Sequence, residues 1–340
     1  MYRKEYLEKK SMFADLIVED MGDGNISDSE INESLERFEN IDLDDDLKDT
    51  IAKKGKEFFE SGVYIKAPAG KKYETPFELD YKTGSKENEF NDNNLIIAEK
   101  DSELNLVVDY NNEDHKKVIH NGLSRIIVKE NAVVNFIKIQ RLNDKSQNFD
   151  LNLSVIENDG EINWITVELG ARETITKNIN ILKSEGSKAD IKSIYFGDGE
   201  RKLDLDYTVK HFGRHSKSEI ESRGVLKDKA KKIFRGNLHF KKEAKAADGS
   251  EKEHILLMDK RVESDSIPAL FTEEDNVQGE HAVSAGQIDE NSLFYLMSRG
   301  FTKVEAKKLL VEAAFNPIFD KIPLNDLKGS VMNEVKRKLE

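Results

Sequence analysis

Between Gly62 and about Leu257 the chain alternates. Leu104/Leu106/Val108, Val133/Asn135/Ile137/Ile139, Leu151/Leu153/Val155, Ile162/Trp164/Thr166 and Ile191/Ser193/Tyr195 mark the pattern. Leu203/Leu205/Tyr207, Ser218/Ile220/Ser222 and Leu238/Phe240 continue it. A period of two is the period of the strand pleat, so each run predicts a half-buried strand. The runs start roughly every 10 to 14 residues, with turn signals such as Asn158-Asp159-Gly160 and Gly197-Asp198-Gly199 between them. No helical periodicity interrupts this region. That excludes an all-α fold and leaves a sandwich, a barrel or a β-solenoid, among which the pattern alone does not choose.

The flanks read differently. Residues 1 to about 60 predict an acidic helical region, with Ile31, Leu35 and Phe38 at helical spacing and Asp44-Asp45-Asp46 as a solvated turn or helix start. Within it, Glu19 to Glu30 falls in the register of a calcium-binding loop: Asp23, Gly24, Ile26 and Glu30 sit where that loop needs them. Met21 replaces an essential oxygen ligand, Glu19 replaces the usual Asp, and no second loop pairs with it, so it reads as an acidic connection.

Towards the other end, an extended run opens at Ile267 and His281 lies in a Gly- and Ser-containing segment that reads as a loop. Asp289 is an N-cap for a helix carrying Leu293, Leu296 and Met297, and Gly300 ends it. Thr302 with Glu305 forms a capping box for a second helix. Its predicted apolar face is Ala306, Leu309, Leu310, Ala313 and Ala314, with Phe315-Asn316-Pro317 as its end. Leu327, Val331 and Val335 predict one more helix.

Composition narrows the function. The 340 residues are 37% hydrophobic and 35% charged, and 53 Lys and Arg against 66 Asp and Glu give a net charge of −13. So acidic a chain is ill suited to nucleic acid, whose binding rests on Lys and Arg. No apolar run is long enough to span a membrane and the N-terminus lacks a secretory apolar segment, so a cytoplasmic location is expected. There is no cysteine. Disulfides, thiolate nucleophiles and an all-cysteine iron–sulfur site on this chain alone are therefore excluded. The seven histidines show no HExxH spacing, and His211 and His215, four apart around Gly213, read as strand and turn residues. There is no P-loop and no dinucleotide fingerprint.

A resemblance covers roughly residues 60 to 315. Ile267-Pro268-Ala269-Leu270, His281 followed by Gly286-Gln287-Ile288-Asp289, Leu293 through Gly300, and Glu305-Ala306 carry it. His215-Ser216, Gly224-Val225-Leu226, Phe234-Arg235-Gly236, Leu256-Leu257 with Asp259, Gly62-Val63-Tyr64 with Pro68 and Gly70, and Leu95-Ile96-Ile97 add to it. In these blocks the sequence resembles the SufB/SufD family of iron–sulfur cluster assembly proteins. The resemblance implies a right-handed parallel β-helix core over 61–283, with helical regions at 1–60 and 284–340 that would cap its ends.

What else the resemblance implies concerns partners and sites. Members of SufB type generally carry the sulfur-accepting cysteine, so its absence here favours a non-enzymatic scaffold of SufD type. Such a subunit pairs with a SufB-like partner and binds a SufC-like ABC ATPase, with no stable cofactor of its own and a transient iron–sulfur cluster at the shared interface. His281 matches the histidine implicated in the nascent cluster, and it reads either as an iron ligand or as an interface residue that packs without touching metal. Gly279 stands where SufD members often have a cysteine, and Glu280 resembles the acidic neighbour of SufB type, an oxygen ligand or a charged edge residue. The helix from Lys303 to about Phe315 is the expected ATPase handle, with Phe301, Leu309, Leu310, Ala313 and Phe315 as candidate contacts. Two other readings stay open: a SufB-type homodimeric scaffold of a minimal system, and a polysaccharide-active β-helix enzyme.

Overall fold

A computed structural model describes residues 16–20, 38, 62–83, 89–112, 116–322 and 324–340. Within these, the alternating runs form a parallel β-solenoid of about seven turns. Strands β2 (Val63–Ala67), β4 (Glu89–Ala98), β6 (Ile119–Val128), β8 (Gln147–Ile156), β10 (Glu173–Leu182), β12 (Lys202–His211), β14 (Lys231–Phe240) and β16 (Glu263–Thr272) stack into one sheet. The second sheet stacks β3 (Lys72–Thr83), β5 (Glu103–Asn112), β7 (Val133–Arg141), β9 (Glu161–Glu168), β11 (Lys188–Gly197), β13 (Lys217–Leu226), β15 (Ala247–Leu257) and β17 (Val277–Gln287). Partners in successive turns lie 26 residues apart for Gln147 and Glu173, and 32 for Lys231 and Glu263. Such stacking lets each strand satisfy its backbone on two neighbours, which a narrow core of this composition requires.

The turns explain the residues found there. Gly70, Asp101, Asn131, Asp159, Gly186, His215 and Ala246 each adopt a left-handed conformation at the corner leading into the second sheet. The amide of each donates to the next turn, as in Asp101 N to Glu130 O at 3.0 Å and His215 N to Lys245 O at 2.9 Å. Gly, Asn and Asp tolerate that conformation best, so the turn signals of the sequence are the corner ladder seen from the chain.

Burial departs from simple alternation. Strand β11 is exposed only at its start and then buried at seven consecutive positions, because both its faces are covered. Inside lies the main core, with Trp164 stacked on Phe136 at 4.7 Å. Outside, Ile139, Val167, Ile194, Phe196 and Val225 pack against the C-terminal helices. Three helices follow β17, α1 (Glu290–Ser298), α2 (Lys303–Phe319) and α3 (Asn325–Lys338), and it is α2 and α3 that make this contact. Arg223 donates to Ala314 O, Arg141 to Ser330 Oγ and Lys227 to Lys338 O, pinning α2 and α3 across the middle turns.

Three expectations change. Helices α2 and α3 flank the second sheet rather than cap the solenoid end, because its outward residues are apolar and demand cover. Helix α2 continues through Pro317 to Phe319, since Ile318 and Phe319 are buried against the sheet. Its buried face is Ala306, Val311, Phe315, Ile318 and Phe319 rather than the Leu309–Ala314 stripe.

At the other end, Ile17–Asp20 form strand β1, antiparallel to β2, inside the region expected to be helical. Phe38 is helical and packs on the outer face of the first sheet with Tyr64, Leu95 and Leu123. The rest of that region, including Ile31, Leu35, Asp44-Asp45-Asp46 and the Glu19–Glu30 loop beyond Asp20, lies outside the described residues.

Candidate functional site at the open end of the solenoid

Strands β16 and β17 form the last rung, and no described strand lies beyond them. His281 sits in β17, not in a loop: Gly279, Ser284 and Gly286 give the segment a loop-like composition, yet all eleven residues pair with β15. Every residue of β17 after Val277 is exposed, as are Ile267, Leu270 and Phe271 of β16. A paired strand with one unpaired edge and apolar side chains in water is a template for another chain.

The pleat sorts this rung into inward and outward residues. Gly279, His281 and Val283 share the phase of the buried Gly249, Glu251 and Glu253, so they face the lumen. Glu280, in register with Ser250, faces out. His281 and Glu280 are therefore neighbours on opposite faces, and no single small ligand between them is favoured. A Cβ at Gly279 would meet Leu270 at 2.8 Å, so the opposite sheet already fills the space a side chain there would need.

Below the rung, the lumen carries a polar file that the sequence reading missed. Lys138 bonds Asp150 at 2.7 Å and Asn152 at 2.9 Å, and His120 bonds Asp92 and Asn148 at 2.6 Å each. Glu168 accepts from Thr176 at 2.8 Å and from Gln140 at 3.2 Å; burial and then the Asp150 charge push its carboxyl up to about 7. Towards the mouth, Glu253 accepts from Tyr195 and Lys232 at 2.7 Å each and from Ser266 at 2.5 Å. Such groups persist inside only because each finds partners. The signal was present: Lys138, Glu251 and Glu253 occupy the same strand phase as Phe136 and Ile255. His211, by contrast, is a buried strand residue stacked on Phe240, its imidazole lowered to about 3 by burial, and His215 is a corner residue.

The helical candidates divide. Phe301, Leu309 and Ala313 are exposed, Leu310 is half-buried, and Phe315 is fully buried in the helix–sheet core. Phe315 thus packs within the chain, between α2 and the second sheet. Helix α1 has no buried residue: Phe294, Tyr295 and Met297 face solvent, and the Arg299 guanidinium lies over the Tyr295 ring at 5.3 Å. Asp289 caps α1 through the amides of Asn291 and Ser292, and the Thr302–Glu305 box caps α2. Among the described residues no group of three or more His, Cys, Asp or Glu could hold a metal ion, and no helix is long and apolar enough to cross a membrane.

The fold and the site define a parallel β-solenoid protein with an open, histidine-bearing last rung. The family model for the SUF system FeS cluster assembly SufBD core domain matches residues 81–314, and the chain belongs to that family. It is 28% identical over 281 residues to the iron–sulfur cluster assembly protein SufD of Bacillus subtilis, covering 82% of this chain and 64% of that one. A SufBD family protein of Staphylococcus saprophyticus is 28% identical over 264 residues, with 77% and 57% covered. The SufB of Bacillus subtilis is 27% identical over 264 residues, again with 77% and 57% covered. The chain spans less than two thirds of the length of these curated relatives.

Proposed function

We propose that this chain is a non-catalytic scaffold subunit of SUF iron–sulfur cluster assembly, most like SufD. It pairs with a SufB-like partner through the open last rung and engages a SufC-like ABC ATPase through the exposed side of α1 and α2. The observation that carries the reading is the contrast between β17, eleven paired residues with an exposed face and edge, and the middle strand β11, buried at seven consecutive positions. With no cysteine and no nucleotide-binding motif, sulfur acceptance and ATP hydrolysis fall to the partners. Phe294, Tyr295, Phe301 and Leu309 supply the aromatic and aliphatic anchors of a helix-borne contact. Nucleotide-driven movement of the ATPase would then be transmitted through α2 to the rung where His281 and iron meet.

Anaerobic co-expression with a SufB-like chain and a SufC-like ATPase, followed by light scattering, tests this. A stable complex containing all three chains is the expected result; a chain that purifies without either partner contradicts the proposal. A second reading is supported by the near-equal identities to SufD and SufB, 28% and 27%. It is a homodimeric scaffold, which the same measurement would show as a dimer of this chain bound to the ATPase alone.

A further inference from the structure

Two outward files run side by side along the second sheet. One is an amide ladder, Asn105, Asn135 and Asn163, in register across β5, β7 and β9. Asn163 Nδ2 donates to Asn135 Oδ1 at 2.9 Å, and Asn135 Nδ2 to Asn105 Oδ1 at 2.8 Å. The other file is aliphatic: Val107, Ile137 and Ile165. In β11 both files end in charge, with Asp190 following Asn163 and Lys192 following Ile165. A cleft of about 300 Å³ lies over the two files, with Pro76 at the end nearer β3 and Lys321 at the charged end, just beyond α2.

The charged end is unevenly satisfied. Lys192 has three carboxylates, Asp190 at 3.0 Å, Glu219 at 2.8 Å and Glu221 at 3.3 Å. Asp190 therefore shares that ammonium with two glutamates, and its second cation, Lys321, stands 3.8 Å away. Burial holds the Asp190 carboxyl above its ordinary value even with the Lys192 ammonium beside it. Asn163 spends its amide nitrogen on Asn135 and Glu161, and among the described residues nothing donates to its oxygen. This end thus offers two acceptors, on residues one strand spacing of about 4.8 Å apart, beside a loosely paired cation. An apolar cleft with a few convergent polar groups is the form that small-molecule sites take.

We infer that this cleft binds a free α-amino acid with an aliphatic side chain. The ammonium donates to Asp190 and to Asn163 Oδ1, the carboxylate accepts from Lys321, and the side chain lies on Ile165 and Ile137. A zwitterion answers both charges of the loose Asp190–Lys321 pair without adding net charge. An amine alone would be repelled by Lys321, and a carboxylic acid alone by Asp190. The cleft lies on the outer face of β5 to β11, so nothing in the inference depends on the scaffold reading.

The probe is L-leucine, titrated into the full chain and followed by saturation-transfer NMR. Leucine is expected to bind. Isoamylamine, isocaproic acid and glycine lack its carboxylate, ammonium and side chain in turn, and each should bind about tenfold more weakly or worse. Asp190→Asn and Lys321→Met should each weaken leucine binding by about tenfold or more. Lys321 is exposed, so its replacement leaves the fold standing, which circular dichroism and the thermal midpoint confirm. Absence of saturation transfer to leucine overturns the inference, as does equal leucine binding by the parent and Lys321→Met. Isoamylamine bound as tightly as leucine overturns it too.

Discussion

The two ends of the solenoid are finished in opposite ways. At the N-terminal end the first sheet is closed by β1, a four-residue antiparallel strand, and the second sheet ends on β3. Strand β3 breaks register between Tyr73 and Phe77, around Pro76. Short edge strands, bulges and proline are the devices by which proteins blunt an edge. At the C-terminal end β16 retains Pro268, but β17 pairs without a break over eleven residues and nothing described covers it. One end is built to stop pairing and the other to continue it. The difference teaches that exposure at the C-terminal rung is a property of the strand order, not of a poor core.

The largest effect expected separates the covered turns from the open rung. Trp164→Ala removes a buried ring stacked on Phe136 and bonded to Asn180, and should lower unfolding free energy by about 4 kcal/mol. Val283→Ala, on the exposed rung, should change it by about 0.5 kcal/mol or less. Urea unfolding of both variants checks this, and equal losses would erase the distinction between the two regions.

A smaller effect sharpens the contrast inside the lumen. The Glu168 carboxyl, raised to about 7 from 4.5, is protonated more readily folded than unfolded. Its contribution is therefore fully present below about pH 4.5 and is lost as pH rises through 7, a change of up to about 3 kcal/mol. Glu168→Gln should flatten the stability profile across that window, measured as urea midpoints from pH 4.5 to 8. An unchanged slope would mean that the carboxyl is ionised in the folded chain. The smallest effect is at the hairpin: Thr302→Ala, which removes the capping hydroxyl, should cost about 1 kcal/mol in thermal stability. It should leave the solenoid strands untouched, as read by amide exchange.

Much of the fold was legible because it is written in local periodicity. The strands, the corner residues Asp159 and Gly199, the Asp289 cap and the Thr302–Glu305 box are all local facts, and each appears where the sequence places it. Sidedness was not legible. Period two says that faces alternate but not which face is inside, and here both phases carry apolar residues because α2 and α3 cover the outside. The stripe Leu309, Leu310, Ala313 and Ala314 was as apolar as the face that is buried, and only the sheet beneath decides for Val311 and Phe315. His281 was singled out, but through the resemblance, and its glycine- and serine-rich surroundings hid a strand. Glu251 and Glu253 were legible only by strand phase, which they share with Ile255; taken one at a time, a Glu in an alternating run reads as solvent-facing until the stack shows it inside.

Amide hydrogen exchange along β16 and β17, compared between the isolated chain and the chain mixed with a SufB-like partner, tests the central claim most directly. The account predicts that β17 amides on the unpaired edge exchange fast alone and become protected on mixing, with β11 slow in both states. Protection confined to α1 and α2, or none at all, would contradict the assignment of the open rung as the docking edge.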